Sequence, residues 1–167
     1  MTAWPAIAAA DAPVLEYQVK AVFLLRLAQF TEWPRKPAQQ PSDPFVMGVL
    51  GEDPFGSMLD QAVAGERVAG RPVVVRRFSR ANGLATSDLL FVAGSHRAEL
   101  GRVLPALAGA PTLTVSDVEG FVGQGGAVEL FLDRGRVRFR IDREVAEAAG
   151  LSMSSQLLRA AVLAGED

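Results

Sequence analysis

Apolar residues in the first part of the chain fall into one helical stripe, then a break, then a short strand-like run. Leu15, Val19, Phe23, Leu27 and Phe30 recur at i, i+4, i+8, i+12 and i+15, and Val22, Leu24 and Leu25 widen the stripe. Residues 14–30 are therefore predicted to form a helix buried on more than one side. Trp33–Pro34 ends it, because proline drives the preceding residue out of the helical region. Residues 35–44 hold three more prolines and no apolar period, and read as an exposed loop.

Beyond this point strands and helices alternate. FVMGVL (45–50) is a short apolar run bounded by turn residues, the pattern of a buried strand. Asp53 suits an N-cap and Pro54 the first helical position, for a helix to about Ala64 closed by Gly65. PVVVRRF (72–78) and LLFVA (89–93) are the next strands. Ser95 is expected to cap a helix over 96–108 that Gly109 and Pro111 end, and TLTV (112–115) is a fourth strand. The alternation predicts an α/β domain with a mainly parallel, twisted sheet flanked by helices. Its weak point is the connection over 79–88, short for a parallel crossover.

A hairpin over 127–141 is the sharpest local prediction. With Arg134–Gly135 as the turn, Leu132 faces Val137, Leu130 faces Phe139 and Val128 faces Ile141 on one side. On the other side Asp133 meets Arg136, Phe131 meets Arg138 and Glu129 meets Arg140. A one-residue slip would mix the two faces, so the pattern sets the register. Asp142 should cap a short helix ending near Gly150, and Ser152 should open a last helix to about Leu163. With no repeat and no linker, residues 14–165 read as one domain.

Composition narrows the chemistry. Among 167 residues, 49% are hydrophobic and 22% charged, which excludes a disordered chain. There is no cysteine, so thiolate metal sites, Cys nucleophiles and disulfide switches are excluded. The single histidine, His96, rules out two-His metal motifs. A net charge of −2 does not point to nucleic acid. The apolar run 21–25 is bounded by Lys20 and Arg26 and is far short of the roughly 20 residues a bilayer span needs. The Ala-rich opening, residues 1–13, reads either as the remnant of a secretory signal peptide or as an ordinary disordered terminus.

Three places could carry function. The glycine-rich stretch 120–126 (GFVGQGG) leads into a strand rather than a helix, so it lacks the row of free N–H groups that binds phosphate and reads as a flexible turn. In an open parallel sheet the crevice at the carboxyl ends of the strands is the usual ligand site, and Asp53, Ser95, His96, Ser116 and Asp117 belong there together with Glu52. The plainer reading makes Asp53 and Ser95 helix caps and His96 a first-turn surface residue. No G-x-S-x-G elbow surrounds either serine, so no catalytic residue is assigned. Finally, Phe30 and Trp33 at the end of the first helix, and Phe131 with Arg136, Arg138 and Arg140 on the hairpin, are candidate partner-binding anchors. The first pair can instead be core, and the arginines a self-neutralised face.

The ordered set of motifs resembles the YfiR-like family. It comprises YQVKAVFLLRLAQFTEWP (17–34), VLGEDPFG (49–56), Gly70–Arg71–Pro72, DLLFVAGS (88–95), LTVSDVEGFVGQGGAVELFLDRGRVRFRID (113–142) and LSMSSQLLRAA (151–161). The resemblance implies a periplasmic, exported α/β regulator with no enzymatic activity, no cofactor and no metal. It implies repression of a membrane-bound diguanylate cyclase through contact with the cyclase's periplasmic part, and with it lower cyclic-di-GMP output and biofilm formation. An outer-membrane lipoprotein and a second copy of the chain, as a homodimer, are the other partners implied. The absence of cysteine departs from the disulfide-bearing named member of the family, so disulfide control does not carry over. The alternative is a periplasmic small-ligand sensor that reads a metabolite in the strand-end crevice. For partner contact, the segment 30–44 with Trp33 ranks ahead of the hairpin face, whose arginines already have cross-strand acids.

Overall fold

The computed structural model describes residues 13–36 and 39–163. Apart from Pro13, the segment read as a signal remnant lies outside the described residues, as do residues 164 and 165. The chain opens with helix α1 (Pro13–Gln29) and a two-residue strand β1 (Thr31–Glu32). Then follow β2 (Phe45–Leu50), helix α2 (Ser57–Val63), β3 (Arg67–Val68), β4 (Arg71–Phe78), β5 (Leu89–Val92), helix α3 (Leu100–Ala106) and β6 (Leu113–Ser116). The hairpin β7 (Val128–Asp133) and β8 (Arg136–Ile141) comes next. After it come helix α4 (Arg143–Ala148), β9 (Ser152–Met153), helix α5 (Ser155–Ala160) and β10 (Val162–Leu163).

Eight strands form one sheet in the order β10-β8-β7-β6-β5-β2-β4-β3, and β1 pairs separately with β9. The five central strands run parallel, and the antiparallel pairs are β7 with β8 and β3 with β4. The sheet is therefore mainly parallel, with the antiparallel hairpin towards one edge. Each of its faces has its own core. Leu89 and Phe91 of β5 join Phe45, Met47, Val49, Val115 and Phe139 beneath α1 and α2. Leu90 and Val92 point the other way, to Leu100, Val103 and Leu107 of the α3 region, with Leu84 and Phe121. A strand buried on both faces needs an unbroken apolar run, and LLFV supplies it.

The short crossover over 79–88 is accommodated by stagger. Phe78 ends β4 level with Leu50, while Leu89 starts β5 level with Met47. The chain has only to step back about three residues and across β2, well within the reach of ten residues at roughly 3.3 Å each. A 3-10 turn at Leu84–Thr86 puts Leu84 over the second core on the way.

The hairpin has the expected register in all six pairs, from Asp133↔Arg136 to Val128↔Ile141. Arg134 and Gly135 both have positive φ, at 54° and 77°, as a two-residue turn matched to strand twist requires. Asp142 caps α4, its side chain accepting from the N–H groups of Glu144 and Val145.

Other boundaries differ from the sequence-based expectation. Helix α2 begins at Ser57, not Asp53, because the Asp53 carboxylate accepts from the Phe55 N–H and pairs with Arg77 instead of capping. Ser95 caps no helix. It lies in a 3-10 turn, Gly94–Glu99, where His96 has non-helical φ of −106°, and α3 starts only at Leu100. The last helix is capped by Ser154, whose hydroxyl accepts from Leu157 N–H, and it ends at Ala160. Ser152 belongs to β9, drawn into pairing with Glu32. The glycine-rich stretch 120–126 is pinned rather than flexible. Buried Glu129 accepts from the N–H groups of Gly120 and Val122, and a Cβ on Gly126 would lie 2.1 Å from the buried Phe121 ring. The free N–H groups that would hold a phosphate are turned onto an internal carboxylate.

Candidate functional site

The central strands run β4-β2-β5-β6-β7, so the chain leaves β2 in one direction, to β4, and continues in the other from β5 onward. At such a reversal the loops after the two neighbouring strands diverge and leave a crevice. A cleft of about 660 Å³ opens there. Glu52 and Pro54 follow β2, Gly94 and Arg97 follow β5, and Asp117 and Glu119 follow β6. One wall is the hairpin, through Glu129, Phe131, Leu132 and Arg140, and the first turns of α1 add Glu16, Tyr17 and Lys20.

Beneath the cleft lies a compact ionic cluster. Lys20 is only 3% exposed, on the inward face of α1. Its ammonium donates to Asp117 Oδ2 at 2.8 Å and pairs with Glu16, and it sits 4.5 Å from the centre of the Tyr17 ring. The Tyr17 hydroxyl donates to the same Asp117 oxygen at 2.6 Å. A buried ammonium is tolerated only when its protons are taken up by acceptors, and two carboxylates and a ring face do so here. Burial pushes the Tyr17 phenol well above its usual value, and the hydrogen bond to Asp117 and the charges of Asp117 and Glu16 push it further. The Tyr17 ring is held edge-on against Phe55, with centroids 5.5 Å apart.

Of the six residues expected in the crevice, Glu52 and Asp117 line the cleft and the other four lie outside its lining. Asp53 meets Arg77 at 2.5 Å, and Arg77 also holds Asp60 at 2.7 Å, a contact that lowers the Asp60 carboxyl below its usual range. Ser95 Oγ accepts from the Glu52 N–H at 2.9 Å, tying the loop after β5 to the loop after β2. His96 Nδ1 lies 3.5 Å from Ser95 Oγ, outside the cleft lining. Ser116 is fully buried, donating to the Val92 carbonyl at 2.6 Å and accepting from Val118 N–H. The residues that sequence reasoning missed are Glu16, Tyr17, Lys20, Arg97 and Glu119. A lysine inside an otherwise apolar helical face was the available signal, since Lys20 falls one turn from Tyr17 and from Leu24.

The two candidate partner surfaces differ. Trp33 is half-buried, stacks edge-on against Phe45 with centroids 4.9 Å apart, and donates Nε1–H to the Asp88 carbonyl at 3.0 Å. Phe30 packs against the core, and its carbonyl accepts from Ser154 N–H. On the hairpin, Phe131 is half-buried with the Arg140 guanidinium 4.6 Å and that of Arg138 5.9 Å from its ring centre. Arg138 pairs with Asp133 at 3.0 Å, diagonally, and Arg140 with buried Glu129 at 3.4 Å. Arg136 has no ion-pair partner among the described residues. Leu132, 48% exposed, is the one large exposed hydrophobic residue among them.

The fold and cleft define an α/β protein of the doubly wound class whose strand order matches the flavodoxin-like arrangement. The chain belongs to the YfiR/HmsC-like family, whose model matches residues 17–162. No curated protein matches it. A solved structure similar in fold is a conserved domain protein from Vibrio cholerae O1 biovar El Tor, with 14% identity and a TM-score of 0.55. The match covers 71% of this chain and 54% of that one. Another is the ABC domain in complex with L-Trp from Streptococcus pneumonia, with 13% identity and a TM-score of 0.55 over 88% of this chain and 59% of that one. The chain thus spans little more than half the length of either of these structurally similar proteins. No helix among the described residues is long and apolar enough to cross a membrane.

Proposed function

We propose that this chain is a periplasmic regulatory binding protein that represses a membrane-bound diguanylate cyclase by contact with the cyclase's periplasmic part, lowering cyclic-di-GMP output and biofilm formation. The observation that carries this reading is the match to the YfiR/HmsC-like family over residues 17–162. An outer-membrane lipoprotein that sequesters the repressor, and a homodimer, belong to the same reading. The contact surface is the outer face of the hairpin. Interface hot spots are aromatic and arginine side chains that exchange water for a partner, and Trp33 is already committed to Phe45 and Asp88. Phe131 and Arg136, which has no ion-pair partner among the described residues, share that face and offer an apolar centre with a cationic rim. The test is titration of the purified chain with the periplasmic part of the cyclase, alongside cyclic-di-GMP levels in cells. Phe131→Ala with Arg136→Glu should weaken binding at least about tenfold, roughly 1.4 kcal/mol, and raise cyclic-di-GMP, with the melting temperature little changed. Normal binding by that double variant would overturn the surface assignment. No binding by the wild-type chain would overturn the reading itself.

A second reading, a small-ligand sensor, is favoured by one observation. The cleft holds Glu52, Arg97 and Glu119, none with an ion-pair partner among the described residues. Thermal-shift screening with small metabolites tests it. A ligand that stabilises the wild-type chain but not Arg97→Ala would support it.

A further inference from the structure

The two edges of the sheet are finished differently. On one side β10 covers the end of β8 at Arg140 and Ile141. On the other, β3 covers β4 only at Arg71 and Pro72, with one more bond from Val73 N–H to the Glu66 carbonyl. The register with β2 settles which way the rest of β4 points. Gly51 N–H donates to the Phe78 carbonyl, so Val74, Arg76 and Phe78 turn their backbone groups towards β2. Val75 and Arg77 then turn theirs to the open edge, where no strand pairs with them among the described residues. Val74 and Val75 are half-buried, Arg76 is exposed without an ion-pair partner among the described residues, and Arg80 just beyond is exposed as well.

We propose that this edge of β4, residues 74–78, takes an extended acidic segment of another protein as an added strand. An open edge with paired donors and acceptors is a template for strand addition, and alternate side chains decide what fits. The occupant is not a second copy. Because β3 blocks the positions across Arg71–Val73, the two-fold antiparallel pairing that uses the whole of residues 74–78 centres at Arg76. That sets an arginine directly opposite its own copy, and like charges so placed are destabilising. An acidic segment meets Arg76 and Arg80 instead. This site lies at the end of the sheet away from the hairpin, so it does not depend on the cyclase reading.

The experiment uses the full chain and two synthetic peptides of equal charge, one alternating valine with glutamate, the other with proline in place of each valine. The alternating peptide should bind and slow amide hydrogen exchange at Val75 and Arg77, and the proline peptide should not bind. Arg76→Glu should weaken binding about tenfold. Val75→Pro removes an N–H that points outward, so the fold should survive while binding is lost. Equal binding of both peptides, no binding of either, or no protection at Val75 and Arg77 overturns the proposal. If Val75→Pro does not fold, the exchange footprint on the wild-type chain and the Arg76→Glu affinity decide.

Discussion

Two buried ionic clusters sit at opposite ends of the parallel strands, and the same kinds of group are arranged to different ends. At the amino ends, Asp88 is 2% exposed and accepts from Val46 N–H at 2.9 Å and Arg71 at 3.2 Å, with Lys36 at 3.7 Å. Its backbone carbonyl takes the Leu113 N–H and the Trp33 indole, and Arg71 also bonds the carbonyls of Asp43 and Pro44. This cluster clips the starts of β2, β4 and β5 to the loop before them and is roofed by Trp33. At the carboxyl ends, Asp117, Lys20, Tyr17 and Glu16 join α1 to the end of β6 but open onto a cleft where Glu52, Arg97 and Glu119 have no ion-pair partner among the described residues. Breaking a closed pair leaves a charge with no access to water, whereas breaking one beside a cleft leaves a charge that water can reach. The first cluster is a clasp, and the second is the floor of an open cleft.

Mutations separate the two. The largest effect is expected for Asp88→Ala, which strands Arg71 and frees Val46 N–H, at a cost of about 3–5 kcal/mol. Urea unfolding measures it, and a loss smaller than that of Asp117→Asn would break the comparison. Trp33→Ala should cost about 3 kcal/mol through lost packing on Phe45 and the lost indole bond to the Asp88 carbonyl, near the low end for an aromatic truncation because the ring is half-buried. A Trp33→Ala chain of full stability that fails to bind the cyclase would return the interface to the segment 30–44.

Asp117→Asn should cost less, about 1–2 kcal/mol, since Lys20 keeps Glu16 and the cleft admits water. The same variant has a spectroscopic readout. Tyr17 is the chain's single tyrosine, so phenolate absorbance reports it alone. In the wild-type fold it should titrate clearly above 10.0, and Asp117→Asn should bring it down. The linkage sign is that of a proton held more tightly when folded. Its stability contribution is intact below 10.0, where both states keep the proton, and is lost as pH rises above that and the unfolded chain ionises. An unshifted Tyr17 would show that the cluster is looser than the distances imply. The smallest stability effect is expected for Arg138→Ala, within about 0.5 kcal/mol, because its pair with Asp133 is exposed on both sides. If the hairpin is the contact surface, this variant should still bind the cyclase less well.

Some of this architecture is legible in local pattern. The hairpin register follows from strict alternation on both strands and a turn dipeptide able to adopt positive φ, and all six pairs obey it. Strands β2 and β5 follow from short apolar runs between turn residues, and the cap of α4 from Asp142 before a helical run. In each case the deciding interactions lie within a few residues or across one turn. Where a side chain had two suitors, the distant one won. Asp53 and Ser95 each sit where a helix could begin, yet Arg77 captures the first and the Glu52 N–H the second. Ser152 yields the capping role to Ser154 because β9 pairs with β1 across 120 residues of chain.

By itself, the sequence determined the class of fold, the hairpin, the absence of thiol chemistry and the family. Those rest on periodicity, composition and ordered motifs, which are properties of the chain read in line. Only the tertiary structure decided which polar residues meet. Strand order places the loops after β2, β5 and β6 around one cleft, and α1 lays Tyr17 and Lys20 over Asp117, about a hundred positions away. The same strand order leaves β4 with an open edge. Desolvation then fixes the partners, since a buried charge must find its counter-charge wherever the fold brings one, and no local pattern records that distance.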